Sequence, residues 1–264
     1  MLTLDFAQLQ SWLVMFLWPF VRLTAFLAAS PLWGHNSVPN QVKVGLAMLL
    51  CVAIAPGLPP LPDVPLFSWA GFGILVEQII IGVAIGLVMR IVLATVQAAG
   101  EYIGLQMGLA FATFFSPDTG SNDVVVSRFL YMVTLLMFLA VDAHLIVIQI
   151  LATSFSVLPI GALGPEIAGF DLLVRFAGTI FSSGLLLSLP LVAALLTINL
   201  SMGILNRAAP QLTIFSIGFP MTLTVGLFLI MVLMTDFGRF LQRLFETGLG
   251  FQQQLLQALA PLGS

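Results

Sequence analysis

Apolar residues run along this chain in six long blocks, at 12–33, 42–55, 67–99, 124–158, 172–205 and 212–244. A helix that crosses a bilayer needs about 20 apolar residues, and each block reaches or approaches that length. The breaks between blocks are short and carry turn chemistry. Gly34, His35, Asn36, Ser37, Pro39 and Asn40 form a turn cluster, and Pro56, Gly57, Pro59, Pro60 and Pro62 form a connector that cannot continue a helix. Residues 116–123 read as a polar loop, 159–171 hold Gly and Pro with two acids, and Ala208, Ala209, Pro210 and Gln211 make a tight break. The pattern predicts an all-α chain.

Several blocks are too long for a perpendicular crossing. Residues 124–158 would make a straight helix of about 50 Å, against a hydrocarbon core of about 30 Å. Tilt absorbs part of the excess, and internal breaks absorb the rest. Pro190 stands near the middle of the fifth block and Pro220 inside the sixth; each removes an N–H and is expected to kink its helix. Such breaks survive in lipid where neighbouring helices cover the freed carbonyls. The third to sixth blocks therefore read as long kinked helices packed into a larger assembly. Charge bias gives only a lean: the sides holding Lys43, Arg90, Arg128 and Arg207 would be cytoplasmic, but Arg239 and Arg243 then fall on the wrong side.

Composition strengthens the membrane reading. Of 264 residues, 60% are hydrophobic and 7% charged, where soluble domains have about 45–50% apolar and about 25% charged residues. The apolar excess must face lipid or other apolar subunits. Net charge is −3 with eight scattered basic residues. No basic run could follow a phosphate backbone, so nucleic acid is excluded as a partner. Cys51, the one cysteine, lies in an apolar run and reads as a small core residue. The first ten residues carry Asp5 and no Lys or Arg. They lack the positive region of a secretory signal, and the first block is expected to remain as an anchor.

Candidate chemistry is sparse. Gly82 and Gly86 are not a phosphate loop, because no Lys-Ser/Thr follows them. His35 and His144 lack a second His or Cys at metal spacing. No catalytic residue, metal or cofactor is expected. The glycines say more. Gly100, Gly104 and Gly108 recur every four residues and form a bare helical stripe, as do Gly82 and Gly86. Bare stripes let membrane helices approach closely, either within the subunit or against a neighbour. After the stripe come Ala110, Phe111, Phe114, Phe115 and Pro117. This is either a capped helix end or a loop that presents apolar rings to a pore, where dewetting would block ions. Isolated charges in apolar surroundings face a partner, a cavity or water. Among them are Arg22, Glu77, Asp142 and His144; the last three read as buried polar groups in structural pairing rather than a proton relay.

The run Arg207-Ala208-Ala209-Pro210-Gln211-Leu212-Thr213-Ile214-Phe215-Ser216-Ile217-Gly218-Phe219-Pro220 resembles the signature of the FliR/SctT family of type III secretion export gates. Gly104 to Ala112 is similar to that family's central region, Val38 to Lys43 to its first turn, and Leu139 to His144 to its Asp-x-His segment. The resemblance covers nearly the whole chain, and the Pro-Gln motif is its most specific part. It implies a single export-gate domain over 1–264, with a FliP-like part at about 1–170 and a FliQ-like hairpin part at 171–264. One copy would assemble with FliP and FliQ into a helical hetero-oligomeric pore in the flagellar basal body of the inner membrane. FlhB would wrap the entrance, FlhA and the MS ring would be neighbours, membrane lipid would surround it, and unfolded flagellar proteins would pass through. It also implies a pore plug at Gly108 to Pro117, and a hairpin turn at Arg207, Pro210, Gln211 and Phe215 that meets FlhB or FliQ. An injectisome gate of the same family, and a small-solute secondary transporter, are the competing expectations.

Overall fold

The computed structural model describes residues 6–62, 64–65, 67–109, 124–161, 166–208 and 217–260. Among these residues every regular element is helical: α1 (Phe6–Ala29), α2 (Asn40–Ile54), α3 (Trp69–Gln106), α4 (Val125–Ala140), α5 (Ala143–Val157), α6 (Ile167–Ala177), α7 (Thr179–Ala208) and α8 (Phe219–Leu259). The all-α, membrane-type expectation holds. Four helical stretches are long and apolar enough to cross a membrane, or five if α4 and α5 count as one broken span.

The boundaries differ from the apolar blocks in instructive ways. The block 124–158 is two helices, because Asp142 takes the left-handed conformation (φ 55°). Asp is one of the few side chains that tolerate this region. The sixth block was expected to end at 244, but α8 runs on to Leu259. Its second half carries apolar residues only at helical spacing. Leu241, Phe245, Leu255, Leu256 and Leu259 are all buried there. Pro190 lies inside α7 as expected. Pro220 does not interrupt the interior of α8: it stands in the first turn, where a missing N–H removes no helical bond.

The chain forms two compact units. The first comprises Met1–Ile91, Asp142–Ala177 and Glu246–Ser264; the second comprises Val92–Val141 and Gly178–Phe245. In the first unit α1 and α3 run parallel in direct backbone contact. A Cβ on Gly82 would strike the Arg22 carbonyl and lie 2.9 Å from the Ala25 Cβ; one on Gly86 would lie 2.8 Å from the Ala29 Cβ. A step of four on α3 is thus matched by a step of four on α1. The end of α8 closes this unit. Phe251 stacks on Phe176 of α6 at 3.9 Å, and the Gln252 amide donates to the Ile85 carbonyl at 2.9 Å.

In the second unit α3 and α4 run antiparallel. Gly100 faces Ser127, and Gly104 faces Val124. Ser127 Oγ donates to the Gln97 carbonyl at 3.0 Å. Gly184 of α7 brings its backbone onto α3, 3.0 Å from the Thr95 carbonyl when a Cβ is added. The Phe138 and Phe245 rings meet edge to face with their centroids 5.4 Å apart. On α7, Phe181, Leu185, Leu189, Leu196, Leu200 and Ile204 stay exposed along one face. A stripe of that width on a single chain is a surface meant to be covered by lipid or protein.

Candidate functional site

The second unit holds a tightly built helix end. Helix α3 stops because Gly108 takes φ 82°, a region closed to most side chains. The Gly108 N–H donates to the Leu105 carbonyl (3.1 Å) and the Leu109 N–H to the Gly104 carbonyl (3.0 Å). This pair of bonds is the Schellman arrangement, which satisfies carbonyls that a helix end leaves open. Two side chains take the next carbonyls. Asn199 Nδ2 of α7 donates to the Gln106 oxygen at 3.3 Å, and Thr222 Oγ1 of α8 donates to the Met107 oxygen at 3.2 Å. An unmet buried carbonyl would cost about 1–3 kcal/mol. Two other helices therefore help fix this helix end.

The chain returns at Val124, which packs on Gly104, while Ser127 packs on Gly100. The bare stripe thus brings Leu109 at the end of α3 and Val124 at the start of α4 to the same glycine, and this contact is the neck. Ala110, Phe111, Phe114, Phe115 and Pro117 fall inside that segment and lie outside the described residues. Gly108 is the stop of α3. Gly100, Gly104, Val124, Ser127, Asn199 and Thr222 are themselves uncharged, so what this contact can do is mechanical: fix the end of α3 against the start of α4.

The other expected residues are dispersed. Arg207 is exposed in the last turn of α7, where a cation complements the helix dipole. Pro210, Gln211 and Phe215 lie outside the described residues. Glu77 is half-buried, and it acts electrostatically on Arg22. Asp142 was expected to be buried but is exposed: it sits at the helix break between α4 and α5 in the left-handed conformation. His144 is half-buried, with its Nδ1 shielded from solvent. Glu77, Asp142 and His144 form no hydrogen-bonded group among the described residues.

The most developed polar cluster was not expected as such. Arg22 is fully buried in the first unit. Its Nε donates to Gln78 Oε1 (2.7 Å), one Nη to the Ser154 carbonyl (3.0 Å) and hydroxyl (3.2 Å), and the other Nη to the Leu158 carbonyl (2.9 Å). The guanidinium also lies over the Phe155 ring at 4.3 Å. The cation sits on carbonyls at the C-terminal end of α5, a favourable place for positive charge. A lone Arg in an apolar block is a legible signal; its partners, 56 and 132 positions away, are not. Asn199 and Thr222 were missed for the same reason. Among the described residues no group of three or more His, Cys, Asp or Glu could hold a metal ion.

Comparison with known proteins agrees over almost the full length. Residues 13–248 match the model of bacterial export proteins, family 1. The flagellar biosynthetic protein FliR of Pectobacterium carotovorum subsp. carotovorum is 48% identical over 93% of this chain and 94% of its own length. FliR of Escherichia coli K12 is 46% identical over 93% and 94%. FliR of Bacillus subtilis 168 is 29% identical over 83% and 86%.

Proposed function

The chain belongs to family 1 of the bacterial export proteins, and from that membership we propose that it forms part of the wall and plug of the flagellar protein export pore. It is a flagellar biosynthetic protein of the type III export family and a multi-pass protein of the bacterial inner membrane. The finer reading is that one copy joins FliP and FliQ in a helical pore. Residues 1–170 would stand as a FliP-like part and 171–264 as a FliQ-like hairpin part. FlhB, FlhA and the MS ring would be its neighbours. Unfolded flagellar proteins would be its cargo.

The observation that carries the proposal is the neck. A loop meant only to join two helices needs no special anchoring. Here the end of α3 is held by Asn199 of α7 and Thr222 of α8, and the start of α4 packs through Val124 and Ser127 on Gly104 and Gly100. Such anchoring suits a segment that is pushed aside by a passing chain and must return to one place. Its three phenylalanines would seal the closed pore to ions by dewetting. The exposed apolar faces of α7 and α8 support burial against sister subunits. The lone purified chain would then be poorly behaved in detergent. Arg207, Pro210, Gln211 and Phe215 would shape the turn that meets FlhB or FliQ.

Deleting residues 110–115 tests the plug. The complex should still assemble, because the neck lies outside the deletion, but it should conduct ions when reconstituted. Conductance equal to that of the intact complex would remove the plug assignment.

A further inference from the structure

The connector between α2 and α3 ends in three bare rings. Phe67 is wholly exposed, Trp69 is 90% exposed and Phe72 57%. The helix start that carries them is fixed locally. The Ser68 hydroxyl accepts from the Gly71 N–H (3.0 Å) and donates to the Pro65 carbonyl (2.7 Å), so α3 is capped at Trp69. The Trp69 and Phe72 rings meet edge to face with their centroids 6.4 Å apart. An open face runs on from them. Val76 and Ile79 are exposed, Val83 and Leu87 continue the line half-buried, and Arg90 ends it, exposed. With Trp69 and Phe72 they fall in one helical stripe about 100° wide. Glu77 is the only charged residue between the ends of the stripe, and it lies off it.

Three physical limits decide what covers this face. First, Asn40–Gly57 and Trp69–Gln106 are each apolar and long enough to cross a membrane, and they meet at this connector. Residues 58–62 and 64–65 are not helical, and Pro60 and Pro65 are exposed. Irregular backbone open to the outside does not stand in hydrocarbon, where its carbonyls would go unmet. The connector therefore lies at the membrane surface, with the rings one short step inward. Second, the rise from Trp69 to Arg90 is about 31 Å, and the hydrocarbon core is about 30 Å thick. Aromatic rings at one boundary and a cation at the other mark the two edges of a crossing helix. Third, a protein partner would bring about one hydrogen bond per 100–200 Å². The stripe has no polar side chain between Trp69 and Arg90 to offer one. We propose that Phe67, Trp69 and Phe72 are an interfacial anchor seated at the headgroup–acyl boundary, and that phospholipid chains cover the open face of α3 down to Arg90. This inference does not depend on the pore assignment.

Two measurements on native membranes that carry the full-length chain test it. A diazirine amino acid placed at 67 or 69, both exposed positions, should give a phospholipid adduct on illumination, read by mass spectrometry. Single cysteines in a Cys51→Ala chain are then treated with a charged maleimide. Pro60→Cys and Arg90→Cys should react. Val76→Cys and Ile79→Cys should react at least about tenfold less, because charge is costly in hydrocarbon, although both positions are exposed on the chain itself. Adducts to protein in place of lipid at 67 and 69 would overturn the proposal. So would Val76→Cys reacting as fast as Pro60→Cys, which would put the stripe in water. An unreactive Arg90→Cys would move the far edge and overturn it as well. If the Cys51→Ala chain does not accumulate, the crosslinking decides alone.

Discussion

Alanine substitutions at three helical glycines should separate intrinsic helix preference from the cost of losing the neck. In an open helix, Gly→Ala stabilises by about 0.5–1 kcal/mol because the chain loses less freedom on folding. Gly203 of α7 has nothing within 4 Å of an added Cβ and should show that gain in full. At Gly104 the obstacle is the Val124 side chain, with its Cβ at 3.3 Å and one methyl nearer. A side chain at the first residue after the loop can yield, so gain and strain should roughly cancel. At Gly100 the obstacle is the Ser127 backbone, with its N at 2.8 Å and its Cα nearer. A helix backbone cannot yield locally, and forcing atoms into a packed site costs about 1–3 kcal/mol.

The net effects are therefore a gain at 203, little change at 104, and a loss of about 1–2 kcal/mol at 100 after the helix gain is subtracted. For a chain of this size 1 kcal/mol moves the melting midpoint by about 2–4 °C. The extreme variants should thus differ by roughly 5–10 °C, taking that scaling over the summed difference. The assay is a heat step on membranes that carry the chain, followed by mild detergent extraction and fluorescence-detected size exclusion to count what remains intact. Val124→Ala should restore any loss seen with Gly104→Ala, and should not help Gly100→Ala. If Gly100→Ala matched Gly203→Ala, α3 and α4 would not meet through this glycine and the neck would be wrong.

Two further outcomes follow from the first unit and from the helix break. Gln78→Glu should keep its bond to Arg22 and melt close to wild type. Gln78→Leu should lose about 1.5–3 kcal/mol because it strands a charged donor in the core; equal melting of the two variants would contradict the Arg22 geometry. Asp142→Asn and Asp142→Gly should be nearly neutral, since both residues accept the left-handed conformation, whereas Asp142→Val should cost about 1–2 kcal/mol. The same heat step checks this, and a stable valine variant would show that the break does not rest on Asp142.

The sequence by itself determined the class of the molecule. Unbroken apolar runs with few charges can only be membrane-type helices, and Pro and Gly mark where they stop, because those residues act locally. The same locality made the glycine stripes legible as close-packing faces and the Pro-Gln run legible as a family signature. Local patterns failed where burial came from elsewhere in the chain. The end of α8 is helical well past the last apolar run, since only every third or fourth residue needs to be apolar once other helices cover that side. Asp142 looked buried because its neighbours are greasy, yet it stands exposed at a left-handed break between two helices. Which glycine meets side chain and which meets backbone, which carbonyls Asn199 and Thr222 reach, and what surrounds Arg22 were decided by tertiary structure alone. Each depends on partners tens of residues away, and a buried hydrogen bond is set by three-dimensional register rather than by anything adjacent in sequence.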